Sequence, residues 1–238
     1  MKKSRSIAVI IGGSSGVGLQ TARVFSSHGV DVIIGSHTQE KLDKALLSLP
    51  NTATGFLIDV TSDFSVKKFF QKVKNFDYLV ISATDKFPDK KIDDTEIQDL
   101  MQFANTKLWG TIRCIKHSFK NIRNGGSITL ISGNISKKGR AGSHAKAVTN
   151  AALEGITRSF AAEFMSNIRV NCISPGIFDS NNSFTKDDVK KLKEKLSLQY
   201  IGISNEVAEM IYSVGTNNFM SGSVVCIDGG WSDTFITG

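Results

Sequence analysis

Two short stretches carry residue types whose spacing could do chemistry. The first, SHAKAVTN (143–150), puts Lys146 and Asn150 four residues apart, so a helix would present both on one face. A lysine there can hold a proton or an anion. Its ordinary pKa near 10.4 falls with burial or beside a second cation. Asn150 is neutral and cannot shift a neighbour as a cation would. The second stretch, GGSSGVG (12–18), lies between an apolar run and a helical pattern. Gly12 and Gly13 permit a tight exit from a strand, and Gly16 and Gly18 let backbone approach a ligand closely. The helix that opens there offers free N–H groups and a positive dipole end to a diphosphate, with Ser14, Ser15 and Val17 in the same turn.

That turn needs a strand before it and a helix after it, and the chain repeats this unit. Apolar runs at 7–11, 30–35, 54–59, 77–82, 127–132, 168–174 and 223–228 alternate with helical patterns at about 17–27, 39–48, 63–74, 94–120 and 145–165. Thr61 or Ser62 is available to cap the third helix. Such alternation predicts an α/β fold: a single-domain doubly wound Rossmann fold over residues 1–238, with a seven-stranded, mostly parallel sheet and helices on both faces. The polar segment 177–200 interrupts the alternation and is the candidate substrate loop or lid. At the end of the second strand stands GSHT (35–38), with no acid before Glu40. An acid there would bind a free ribose 2′-OH, whereas Ser36, His37 and Thr38 can donate to a 2′-phosphate, which favours NADP(H) over NAD(H). No Arg stands there, and His37 could equally be a solvated loop residue.

Composition excludes several classes. Of 238 residues 40% are hydrophobic, and the net charge of +7 comes without a concentrated basic stripe, so nucleic acid is not expected. KDDVKKLKEK (186–195) mixes acids with its lysines and reads as a solvated helix face. The apolar run Ile7–Ile11 is shorter than the roughly 7–15 residues of a signal peptide's apolar core. No run approaches the roughly 18–20 residues of a membrane span. The expectation is a cytoplasmic protein with no membrane partner. Cys114, Cys172 and Cys226 lack metal or redox spacing and are expected to be small core residues, with no metal site.

Taken in order, these segments resemble the short-chain dehydrogenase/reductase family nearly end to end. GGSSGVG is similar to the family's Thr-Gly-x3-Gly-x-Gly cofactor turn, with Gly12 in the Thr position. Asp59 and Val60 resemble the Asp-Val pair that contacts adenine. DYLVISAT (77–84) resembles the strand leading to Asn-Asn-Ala-Gly, of which Ala83 remains. IRVNCISPGIF (168–178) resembles the segment that lays Pro175, Gly176 and Ile177 against the nicotinamide, and VVCIDGG (224–230) resembles the last strand. The resemblance implies an NADP(H)-dependent oxidoreductase acting on a carbonyl or alcohol of a small molecule. It also implies a homodimer or homotetramer built on the helices near 94–120 and 145–165, where Phe103, Trp109 and Phe160 could contribute.

The family's usual catalytic groups are Asn, Ser, Tyr and Lys. Counting back from AALEGITRSFAAEF puts Asn150 in the Lys position and Lys146 in the Tyr position. LISG puts Gly133 in the Ser position, and KLWG (107–110) puts Lys107 in the Asn position, with Asn105 as a substitute if the helix is shifted. All four usual side chains are therefore replaced. Three readings stay open: Lys146 as a general acid, with His144 or Ser132 assisting; Lys107 and Lys146 as a pair holding an anionic substrate; or Lys146 as a solvent-facing lysine in a decayed pocket. Ser136 reads as ordinary loop. The function is thus an oxidoreductase with an atypical site or, alternatively, a redox-inactive nucleotide-binding partner or sensor, or a non-redox enzyme using a cationic pocket.

Overall fold

Along the chain run β1 (Ile7–Ile11), α1 (Gly16–Ser27), β2 (Asp31–Ser36), α2 (Gln39–Leu47), β3 (Thr54–Leu57) and α3 (Asp63–Lys72). Next come β4 (Phe76–Ile81), α4 (Ile97–Ala104), α5 (Gly110–Ser118), β5 (Ile122–Ile131), α6 (His144–Phe164) and β6 (Ile168–Pro175). The chain continues through β7 (Phe178–Asp179), α7 (Lys186–Lys193), β8 (Gly202–Ile203), α8 (Ser204–Thr216) and β9 (Val224–Ile227). This computed structural model describes residues 5–180, 184–194 and 196–231.

Successive side chains of a strand point to opposite faces, and here helices cover both faces, so the strands are apolar throughout rather than alternating. Val9 and Ile11 of β1 pack with Leu79, Ile128 and Val170 against α3, α5 and α6. Ala8 and Ile10 pack on the other side with Ile34, Val80 and Ile173 against α1, α2 and α8. The seven strands form one sheet in the order β3-β2-β1-β4-β5-β6-β9. Every pairing in it is parallel. The strand order reverses between β1 and β4, which opens a crevice at their carboxyl ends.

Some local readings change. The helix expected near 94–120 is two helices joined by a π turn, Asn105–Trp109, in which the Gly110 N–H reaches back to the Asn105 carbonyl. Arg113 explains why the turn persists: Nη2 donates to Asn105 Oδ1 at 2.8 Å, and Nη1 donates to the Asn105 and Val60 carbonyls at 3.3 and 3.2 Å. Of the two cap candidates, Ser62 caps α3 by accepting from the Ser65 N–H. Cys114 and Cys172 are core residues, but Cys226 is exposed because β9 is the sheet's edge strand. Phe103 does not face outward: it is buried, with its ring 5.1 Å from that of Phe87. Phe160 stacks on Phe164, whereas Trp109 is 53% exposed.

The segment 177–200 is partly regular, although residues 181–183 and 195 of it lie outside the described residues. β7 pairs in parallel with β8, and Thr185 and Asp188 form a capping box on α7. Ile177, Phe184, Val189, Leu192 and Leu196 gather with Ile135, Ile201 and Trp231 into a small core of their own. Among the described residues, no helix is long and apolar enough to cross a membrane, and no group of three His, Cys, Asp or Glu side chains could hold a metal ion.

Candidate cofactor cleft and active site

The first turn is built by close backbone approach. Gly12 takes φ +80°, a left-handed conformation that favours glycine, and its N–H donates to the Gly35 carbonyl at 3.0 Å. A Cβ on Gly18 would lie 2.2 Å from the Gly12 oxygen, so α1 can start this close to β1 only with glycine there. Gly18 thus sets the turn's shape from behind. Gly12, Ser14, Ser15, Gly16 and Val17 line a cleft of about 790 Å³ above the sheet.

The far end of that cleft is lined by Ser36, His37, Asp59, Val60 and, unforeseen in the sequence, Lys41. Ser36 is buried, with its Oγ 2.9 Å from Ser14 Oγ and 3.2 Å from the Thr38 carbonyl. Ser14 accepts from Ser36 and so keeps its own proton for a ligand. Thr38 is not part of the wall: it is the N-cap residue of α2, and Lys41, one turn into that helix, reaches the cleft instead. Asp59 Oδ1 accepts from the Thr61 hydroxyl at 2.6 Å and the Thr61 N–H at 2.9 Å. The Thr61 hydroxyl, opposed by burial and helped by His37 and Arg113, holds the Asp59 carboxyl below its usual range. Ala83 and Pro175 line the cleft nearer the sheet's centre.

A second hollow, about 440 Å³, adjoins the cleft and shares Ser132, Pro175 and Phe178 with it. Gly133, Lys146, Asn150, Gly176 and Ile177 all line this second hollow. Lys107, by contrast, lines the cofactor cleft and donates to the Ser132 carbonyl at 3.4 Å. Part of its surface stays open to the cleft. The protein packed around its ammonium, above all, and the charge of Lys146 lower its pKa to about 8, against a raising effect of Cys172. Lys146 Nζ donates to Asp89 Oδ1 at 2.8 Å, and Arg140 pairs with the other oxygen of the same carboxylate. Asn150 is buried, and its Oδ1 has no hydrogen-bond partner.

The substitute Asn105 also borders the cleft, but its carboxamide oxygen is taken by Arg113. His144 is the first residue of α6, and its Nε2 is buried without a partner. Ser136 is more than loop: with Ser132 and Ser174 it donates to Glu154 Oε1, at 2.6, 3.0 and 3.1 Å respectively. Glu154 lies one turn beyond Asn150 on α6, an i,i+4 signal present in the sequence; Asp89 and Arg140 carried none, because the residues they pair with are remote in the chain. Burial pushes the Cys114 thiol up to about 12 and the Cys172 thiol above its usual range, so neither is a nucleophile near neutral pH.

A family model described as "Enoyl-(Acyl carrier protein) reductase" matches residues 12–232. The chain is 27% identical to carbonyl reductase family member 4 of Danio rerio, over 94% of this chain and 97% of that one. It is also 27% identical to the 3-oxoacyl-[acyl-carrier-protein] reductase of Mus musculus, again over 94% and 97%. Among solved structures, one described as ElxO with NADP bound superposes with a TM-score of 0.88 at 26% identity, covering 97% of this chain and all of the other. A small-chain dehydrogenase in complex with NADPH superposes with a TM-score of 0.82 at 28% identity, covering 97% of this chain and 100% of that one.

Proposed function

Because this chain belongs to the short-chain dehydrogenase/reductase family, we propose that it binds NADP(H) and interconverts a carbonyl and an alcohol, with lysines where the family uses other groups. The observation that carries this reading is convergence. A cleft with a glycine-built diphosphate turn at one end and His37 and Lys41 at the other meets a second hollow at Ser132, where Lys107 stands. The residues fit the group: a side chain at Gly18 would push α1 off the turn, Ser14 keeps a proton to donate, and Lys41 and His37 suit a 2′-phosphate.

When bound, a nicotinamide supplies the hydride. The chain must then stabilise and protonate the oxygen that gains charge. Lys107, with a pKa of about 8, is a better-matched acid near neutral pH than an ordinary lysine. Lys146 is held by its ion pair with Asp89 and adds its positive field to the site. Gly133 offers no donor, which weakens stabilisation by about 2–4 kcal/mol relative to a site with one. Below its pKa Lys107 can donate and above it cannot, so carbonyl reduction should fall as pH rises through about 8.

One observation favours a second reading, a nucleotide-binding protein without redox turnover: Asn150 fills the space where a side chain at 133 would stand. NADPH fluorescence titration and NADPH consumption over a panel of aldehydes and ketones separate the two. The first reading expects binding and turnover, with Lys107→Met keeping binding and losing about 100-fold or more in turnover. Binding without any turnover assigns the second reading, and absence of binding overturns both.

A further inference from the structure

We propose that the second hollow takes substrates bearing a carboxylate on an apolar body, with the carboxylate held by Arg140 and Lys146. This deepens the reading above and rests on it only for the reaction that follows binding. The wall is divided: Ile135, Phe178, Phe184, Leu192 and Trp231 make an apolar side, and Arg140 and Lys146 stand on the polar side. Two cations share one carboxylate, Asp89, which is not itself part of the wall. Arg140 engages Asp89 through Nη2, and Lys146 through one donor, so both retain N–H groups for a second acceptor. A guanidinium fork beside an ammonium matches a carboxylate in geometry as well as in charge.

Two further acids lie near this hollow, and each is engaged by other partners. Glu154 is occupied by three serine hydroxyls behind Ser132 and Ser136. Asp228 accepts from Asn134 Nδ2 at 3.0 Å and from the Gly230 N–H at 2.9 Å. Lys107 adds positive potential from the adjoining cleft, and the field of Lys146 reaches it, lowering its pKa. The Asn150 carboxamide, 4% exposed and with an unpaired end, is a polar group inside the same hollow that the protein leaves unmatched. A compound with a charged end for Arg140 and Lys146 and a hydroxyl that donates to Asn150 Oδ1 would satisfy all three, with its hydrocarbon against Trp231.

The test uses the full chain and two probes of the same shape, phenylacetate and phenylacetamide, followed by tryptophan fluorescence in low salt. The carboxylate should bind at least about tenfold more tightly than the amide, and the preference should shrink as salt rises. Arg140→Gln and Lys146→Met should each remove most of that preference while weakening amide binding far less than carboxylate binding. Asp89→Asn should strengthen carboxylate binding by freeing both cations. Equal affinities for the two probes overturn the proposal even if the variants fail to fold. Weaker carboxylate binding in Asp89→Asn overturns it as well, by showing that the cations serve Asp89 alone. NADPH titration on the same samples keeps the two readings apart. Preference without NADPH binding sinks the oxidoreductase reading only, and NADPH binding without preference sinks this one only.

Discussion

Gly133 and Asn150 form a pair at the scale of single residues. A Cβ at position 133 would stand 2.9 Å from Asn150 Nδ2, closer than packed atoms allow. Gly133→Ser alone should therefore destabilise the protein by about 1–3 kcal/mol through overpacking. Adding Asn150→Ala should recover most of that loss in urea denaturation, and no recovery would mean that the two positions do not touch. Lys107 makes a separate prediction. Its folded pKa of about 8 lies below the ordinary lysine value, so holding it charged costs stability below pH 8, and that cost disappears as pH rises from about 8 to 10.5. The full shift corresponds to about 3 kcal/mol. Lys107→Met should thus raise the melting temperature by several degrees at pH 7 and by much less at pH 10. A gain that does not vary with pH would place its origin in packing, not charge.

The elements decide where these side chains stand. The π turn between α4 and α5 sets the position of Lys107, and Arg113 ties that turn to Asn105 and to the Val60 carbonyl. Arg113→Met removes charge-assisted bonds of about 1.5–3 kcal/mol each at most. It should slow amine-reactive labelling of Lys107 at pH 8 if the turn relaxes and returns the ammonium to solvent, where its pKa is higher. At the other end of the cleft, α1 begins one glycine's width from β1. Gly18→Ala forces backbone apart at a contact of 2.2 Å and should abolish NADPH binding. Unchanged fluorescence titration in that variant would show that the turn tolerates the shift.

At the scale of the whole molecule, the reversal of strand order between β1 and β4 places the cleft, and the segment after β6 closes the second hollow with Phe178, Phe184 and Leu192. That arrangement suits the substrate-loop role expected for 177–200, which we retain as a proposal. Some outward apolar residues lie on the helices expected to assemble: Ile97 and Met101 stand one turn apart on α4, Trp109 follows in the π turn and Val148 lies on α6, all more than half exposed. They fit the homodimer or homotetramer expected by resemblance. Light scattering should give two or four chain masses, with Trp109→Glu and Met101→Glu lowering it; a monomer would refute this.

The sequence by itself determined the seven strands of the main sheet, most of the helices between them and the shape of the first turn, but not α8 (Ser204–Thr216), which it did not foresee. Each depends on short-range information: runs apolar on both faces, caps such as Ser62, and glycines whose spacing leaves room for backbone alone. It also fixed which residue types occupy the positions 107, 133, 146 and 150. Only the tertiary structure decided what those residues touch. Asp89 reaches Lys146 and Arg140 from a loop more than fifty residues away, Glu154 collects three hydroxyls from the stretch after β5 and from β6, and Lys107 is desolvated by neighbours that no local pattern reveals. Periodicity encodes which way a side chain points on its own element, whereas charge pairing and burial depend on what the fold brings opposite it.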